Sequence, residues 1–137
     1  MIEYLIGGLL ALGVGLSASS LGFDRDRSFY SVILIVIASY YMLFAAIAGS
    51  NSAFLSELLV FLVFLAVAVV GAKRWPLLIA VGLFAHGIYD IFHIHVVDNP
   101  GVPSWWRGFC LAFDFVAGAY LIGRHALRRS RKSSNAA

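Results

Sequence analysis

Five apolar segments, each close to 20 residues long, dominate this sequence of 137 residues. A helix needs about 20 apolar residues to cross the hydrocarbon core of a bilayer, because it rises about 1.5 Å per residue. Hydrophobic residues make up 61% of the chain and charged residues 12%. The sequence therefore predicts an all-α integral membrane protein in which residues 1–123 form one five-transmembrane-helix bundle. The predicted spans are about 2–22, 29–49, 53–72, 76–97 and 104–123.

The distribution of Lys and Arg predicts how this bundle sits in the membrane. Positively charged residues are enriched on the cytoplasmic side of membrane proteins. Five spans place nine of the ten cations on one side and Arg107 on the other. The nine are Arg25, Arg27, Lys73, Arg74, Arg124, Arg128, Arg129, Arg131 and Lys132. We therefore expect the N-terminus outside, the C-terminus in the cytoplasm, and a multi-pass protein of the plasma (inner) membrane.

The first apolar segment also has to be weighed against a signal peptide. A signal peptide begins with a basic region, whereas this segment begins with Glu3 and contains no Lys or Arg. Its removal would also place the nine cations outside. We therefore interpret the first segment as a helix of the bundle.

Residues 124–137 follow the last apolar segment and form a basic, then polar, cytoplasmic tail. Each cation beside the cytoplasmic leaflet gains about 1 kcal/mol from anionic lipids. Lipid bilayer and anionic lipid headgroups at this tail are therefore the expected partners. Nucleic acid is not an expected partner, because no separate fold presents the charge.

Small residues recur every four positions in the first segment, at Gly7, Ala11, Gly15 and Ser19. Such spacing makes a shallow groove in which the backbone of a second helix can approach closely. The second helix could belong to this chain or to another copy, so a homo-oligomer or a larger membrane complex remains open.

The stretch HGIYDIFHIH, residues 86–95, carries three of the chain's four histidines. His86, Asp90 and His93 are spaced at i, i+4 and i+7, which places them on one face of a helix. Charged side chains inside a bilayer cost several kcal/mol unless they pair or face water. We therefore expect these three to face the bundle interior. His95 points roughly the opposite way and is expected at the interface.

Other segments bring polar groups to similar depths. The fifth segment runs back beside the fourth, so Asp114 is expected to face the histidine-bearing helix. Glu57 of the third segment lies near the depth of His93. The second segment offers Tyr40 or Tyr41 near the midplane, where a hydroxyl could reach the interior groups. The predicted site combines His86, Asp90, His93, Asp114 and Glu57, with Tyr40, Tyr41 and Cys110 in support.

Histidine and carboxylate ligands in this pattern suit a divalent metal such as Zn, Fe or Mn. Our first hypothesis is therefore a metal-dependent or acid–base enzyme, or a binding protein, for a lipidic small molecule. Its site would open toward the exterior. The catalytic residues would be His86, Asp90, His93 and Asp114, and the metal ligands would be these four together with Glu57.

Two alternatives remain open, and the sequence does not decide whether the protein is an enzyme. Histidine titrates near neutrality, so an Asp–His–Asp chain could serve a proton- or ion-handling membrane subunit. The same polar residues could instead lock helices together in a structural accessory subunit. Cys110 is the single cysteine, which excludes an intramolecular disulfide and a CxxC motif.

Overall fold

A computed structural model describes residues 1–26 and 28–134, and over those residues the chain is helical with no strand. Its helices are α1 (Ile2–Leu21), a 3-10 helix (Phe23–Arg25), α2 (Ser28–Ile47), α3 (Asn51–Lys73), α4 (Pro76–Val96) and α5 (Trp106–Ser134). The five α-helices are long and apolar enough to span a membrane. The predicted all-α architecture with five such helices is confirmed. Arg27, the side chains of Arg131 and Lys132, and tail residues 135–137 lie outside this description.

The helix ends follow local chemistry. Gly22 and Gly49 end α1 and α2 in the left-handed region, with φ of 80° and 67°, where a side chain would be strained. Ser50 caps α3 by accepting a hydrogen bond from the Ala53 amide at 3.3 Å. Pro76 opens α4, where its missing N–H costs nothing. The helix α5 continues past Gly123 to Ser134, so the described part of the basic segment extends this helix.

The helices pack in a series that leaves one side open. α5 lies between α1 and α4, and α3 lies between α4 and α2. α2 also contacts α4, whereas α1 and α2 are linked mainly through the 3-10 helix. As a result α4 is the most enclosed of the five helices. On the open side a lateral cleft lies between α1 and α2, and residues of α5 form its floor. Apolar side chains such as Leu9, Leu59 and Val63 are exposed on the outer faces, as lipid-facing residues are.

The predicted small-residue groove of α1 receives α5 of the same chain. A Cβ atom added at Gly7 would collide with the backbone carbonyl of Phe109, so only glycine permits this approach. Gly15 lies against the ring of Tyr120, and the hydroxyls of Ser19 and Tyr120 are 2.6 Å apart. The groove therefore fastens the first and last helices of one bundle.

The bundle has two ends, which we name by their residues. The amino end holds Met1, the α2–α3 turn and the α4–α5 loop, residues 97–105. The basic end holds the 3-10 helix, the α3–α4 turn and the last turns of α5 with Arg124 and Arg128. His86 lies halfway along α4, and the residues from Asp90 to His93 lie progressively closer to the amino end.

Candidate functional site

A histidine and two aspartates meet in the centre of the bundle. Nδ1 of His86 lies 2.7 Å from Oδ2 of Asp114 and 3.8 Å from Oδ2 of Asp90. The i, i+4 spacing on α4 aligns His86 with Asp90, and the antiparallel α5 brings Asp114 to the same depth. All three side chains are buried. We call His86, Asp90 and Asp114, together with Tyr41, the His86 cluster.

The carboxylates of this cluster are only partly satisfied. Tyr41 donates its hydroxyl hydrogen to Oδ1 of Asp90 at 2.5 Å, and Oδ2 of Asp114 is paired with His86. Among the described residues, Oδ2 of Asp90 and Oδ1 of Asp114 have no hydrogen-bond partner. A buried polar atom without a partner costs free energy, so such atoms in a native protein call for a ligand, a water or a functional reason.

The other predicted acidic group forms a separate, satisfied cluster. Glu57 of α3 accepts hydrogen bonds from the Tyr89 hydroxyl at 2.8 Å and from the Asn99 amide at 3.0 Å. Nε2 of His93 lies 2.7 Å from Oε1 of the same carboxylate. We call Glu57, Tyr89, His93 and Asn99 the Glu57 cluster. It joins α3, α4 and the α4–α5 loop near the amino end.

Tyr41 connects the two clusters. Its ring stacks on the His93 imidazole with centroids 4.2 Å apart, while its hydroxyl bonds Asp90. Its backbone carbonyl accepts a hydrogen bond from Asn99 at 2.9 Å. The polar residues therefore form one continuous chain from Asp114 to Asn99. That chain does not continue toward the basic end along α4, where the buried residues are Leu83, Gly82, Ala80 and Ile79.

The structure thus divides the predicted site residues between two clusters. The His86 cluster unites His86, Asp90 and Asp114, whereas His93 and Glu57 pair with each other. Of the two candidate tyrosines, Tyr41 enters the cluster. Tyr40 packs against Trp106, with ring centroids 4.9 Å apart.

Cys110 and His95 belong to neither cluster. Cys110 is buried, one helical turn from Asp114. His95 is exposed on α4, on a different face from the three buried residues.

Two members of the Glu57 cluster were missed by sequence reasoning. Tyr89 lies three residues after His86 and is half-buried at the edge of the buried face of α4. This i, i+3 spacing could have indicated that Tyr89 faces the site. Asn99 belongs to an Asn-Pro-Gly sequence, whose residue types are typical of a turn. Its side chain points inward instead, and its Oδ1 also accepts a hydrogen bond from the Gly101 amide at 3.2 Å.

Two cavities lie near the centre of the bundle, and one of them reaches the His86 cluster. One, of about 220 Å³ at the amino end, has Asp90 in its lining together with Glu3, Ser104 and Arg107. The other is the lateral cleft between α1 and α2, about 450 Å³, which is almost wholly apolar and has Cys110 and Phe113 in its floor. The polar cavity therefore reaches the cluster at Asp90, whereas the apolar cleft reaches only Cys110, one helical turn from Asp114.

One ligand atom each from His86, Asp90 and Asp114 lies within 4.8 Å of the others, close enough for the three to share one metal ion. Within the described residues, no other set of three or more His, Cys, Asp or Glu side chains is gathered in this way. The arrangement can also exchange protons between an imidazole and two carboxylates. No protein-family model, curated protein or solved structure matches this chain.

Proposed function

We propose that the protein binds one divalent metal ion, of the Zn, Fe or Mn class, through His86, Asp90 and Asp114. The bound ion would act on a small lipidic molecule that reaches it from within the bilayer. The observation that carries the proposal is the pair of buried carboxylate oxygens without partners beside a buried histidine. Asp90 and Asp114 each contribute one of these oxygens.

Charge balance supports a divalent ion. Two ionised aspartates would leave two negative charges in the bundle centre, and a protonated His86 would neutralise only one of them. Buried unpaired charge is costly in a low-dielectric interior. A divalent ion beside two carboxylates and a neutral imidazole balances the charge completely. It also supplies a partner to each oxygen that lacks one.

The distances support the same conclusion. A tetrahedral ion about 2.1 Å from each ligand holds the ligand atoms about 3.4 Å apart. Nδ1 of His86 lies 3.8 Å from Oδ2 of Asp90, near that value, whereas its 2.7 Å hydrogen bond to Oδ2 of Asp114 would open when the ion binds. Three protein ligands leave a position free for water or substrate, which is the pattern of catalytic rather than structural sites. An ion with such an open position can polarise a carbonyl or activate water for hydrolysis.

The two cavities supply routes for the two reactants. Water could reach Asp90 through the polar cavity at the amino end. An apolar chain could enter the lateral cleft from the bilayer as far as Cys110, one helical turn from Asp114. This arrangement favours a lipidic substrate over a soluble one.

The same proposal includes an orientation. The described cations at the basic end outnumber those at the amino end, where Arg107 is the cation in the α4–α5 region. The positive-inside rule then places the amino end, and the polar cavity leading to Asp90, outside the cytoplasmic membrane. The site would therefore receive water from the exterior. Both termini can be located by accessibility labelling of cysteines introduced at the two ends.

Elemental analysis of gently purified protein tests the metal site. We expect about one Zn, Fe or Mn ion per chain, and less than about a tenth of that in His86→Ala, because two carboxylates alone hold such ions weakly. His95→Ala is the matched control, since it removes an exposed histidine from the same helix. The metal proposal is rejected if the wild type holds no ion after reconstitution with each of the three metals. The proposal is also rejected if His86→Ala and His95→Ala lose the same fraction of bound metal.

The continuous polar chain favours a second function, proton handling. Asp114, His86, Asp90 and Tyr41 are linked by contacts of 2.5 to 3.8 Å, and histidine exchanges protons near neutral pH. If this function is correct, proteoliposomes should show proton flux that falls at least tenfold in Asp114→Asn. A flux equal to that of empty liposomes would exclude it. The apolar residues between His86 and the basic end make it the weaker of the two candidates.

A further inference from the structure

A second polar centre lies at the basic end, far from the His86 cluster. Asp24, in the 3-10 helix between α1 and α2, accepts hydrogen bonds from Arg124 at 2.6 and 2.8 Å. It also lies 2.9 Å from the Arg128 guanidinium and accepts a hydrogen bond from Ser19 at 2.8 Å. Burial would raise the pKa of Asp24. The Ser19 and Arg124 hydrogen bonds outweigh that effect and hold the pKa below its ordinary value.

This ionised carboxylate holds the two arginines at the wall of a cavity of about 610 Å³. Four arginines line the cavity against two aspartates, which leaves a formal charge of +2. The arginines are Arg25, Arg124, Arg128 and Arg129. Arginine presents several donors in a fixed planar array that matches the oxygens of a phosphate group. The excess charge and the donor geometry both call for an anion.

A buried hydroxyl at the same cavity is also available to a ligand. Tyr30 lines the cavity and is 4% exposed. Its hydroxyl has no hydrogen-bond partner among residues 1–26 and 28–134. A hydroxyl in that position can donate to a phosphate oxygen, and the bond would recover the cost of burying the group.

The remaining lining is apolar. Pro76 and Ile79 of α4 and Leu121 of α5 form a wall beside the arginines. Free phosphate needs no apolar wall, whereas a phospholipid carries its glycerol and first acyl carbons directly beneath the headgroup. The cavity also lies at the ends of helices long enough to span a membrane, where the headgroups of a surrounding bilayer would be. The mixed lining therefore fits a lipid better than a soluble anion.

We infer that this cavity binds the phosphate headgroup of one anionic phospholipid. The arginines and Tyr30 would contact the phosphate, and Asp24 is a positioning residue that orients Arg124 and Arg128. The bound lipid would join the α1–α2 connection to α4 and α5. This site is independent of the proposed metal centre, which lies near the middle of the helices.

Native mass spectrometry with added phosphatidylglycerol or phosphatidylcholine tests the inference. We expect the wild type to retain one phosphatidylglycerol at least tenfold more tightly than phosphatidylcholine. Arg25→Gln with Arg129→Gln should weaken that binding about tenfold or more, because two cations of the lining are lost. Lys73→Gln with Arg74→Gln is the matched control. It removes two cations from the same end but outside the cavity, and should change the affinity less than about threefold.

Tyr30→Phe separates lipid binding from folding. The substitution removes a hydroxyl that bonds no described residue, so we expect unchanged thermal unfolding in lipid-free detergent. Affinity for phosphatidylglycerol should fall about tenfold or more, the effect of losing one hydrogen bond to a charged group. If the Arg25→Gln/Arg129→Gln variant and the Lys73→Gln/Arg74→Gln control lose the same affinity for phosphatidylglycerol, the lipid is held by general surface charge and the site is overturned. Stabilisation by inorganic phosphate alone, equal to that by the lipid, would overturn the lipid as ligand.

Discussion

Replacing Glu57 by alanine is expected to lower the free energy of unfolding by about 3–5 kcal/mol while leaving the metal stoichiometry of the His86 cluster unchanged. Glu57 is buried and accepts hydrogen bonds from Tyr89 and Asn99, and it pairs with His93. Alanine would leave all three of these groups without their acceptor in the bundle interior. The free energy can be measured by tryptophan fluorescence during denaturation in mixed micelles.

Glu57→Gln is the control that separates charge from hydrogen bonding. Glutamine keeps one carbonyl oxygen for His93 and Asn99, and its amide can pair with the Tyr89 hydroxyl. We expect a loss below about 2 kcal/mol, the range for a single weakened hydrogen bond. If Glu57→Ala loses the metal ion under conditions where the protein is fully folded, Glu57 belongs to the metal site. Such a result would support the larger ligand set suggested by the sequence.

The Glu57 cluster also bears on the alternative that the buried polar residues only lock helices together. Each carboxylate oxygen of Glu57 has a partner, and the cluster ties α3 and α4 to the α4–α5 loop. A satisfied network of this type rigidifies a fold. The His86 cluster differs, because two of its oxygens lack partners. Helix locking therefore explains the first cluster better than the second.

The helices were predictable because hydrophobic length is a strong signal. A span of about 20 apolar residues has few ways to fold in a membrane. Depth was predictable too: the antiparallel relation of α4 and α5 brings Asp114 to His86, as expected from counting residues. The basic residues after Gly123 were assigned to a tail, although Ala, Leu and Arg favour helix and α5 runs on to Ser134. Hydropathy reports where a span leaves the bilayer and does not report where its helix ends.

Rotation of one helix against another was not predictable. His93 and Asp90 share a face of α4, but α3 presents Glu57 to His93, and α2 presents Tyr41 to Asp90. Counting residues gives depth along an axis and leaves the angle around it undefined. The inward side chain of Asn99 was hidden for a related reason, because a loop has no periodicity from which its direction can be read.

Substituting both Asp90 and Asp114 by asparagine is expected to abolish metal binding. Which of the two proteins, wild type or double variant, is the more stable should then depend on whether metal is present. In the presence of a chelator, the double variant should be more stable than the wild type by about 1 kcal/mol, because removing the buried charges outweighs the cost of burying two amides. The change removes two buried negative charges at nearly constant volume. Asparagine oxygens can still accept hydrogen bonds from Tyr41 and His86. With saturating metal the wild type should be the more stable protein, because an ion that binds only the folded state adds its binding free energy to stability.

Thermal unfolding of both proteins, with chelator and with each of Zn, Fe and Mn, would show whether the two stabilities cross. Asp98→Asn provides the matched control, since Asp98 is exposed in the α4–α5 loop and should behave as wild type in both conditions. If the aspartates only lock helices, the double variant should be the less stable protein whether or not metal is present, and metal should not affect the wild type. A crossing would instead show that the two carboxylates are maintained at a cost to the metal-free fold, as expected of residues that hold an ion.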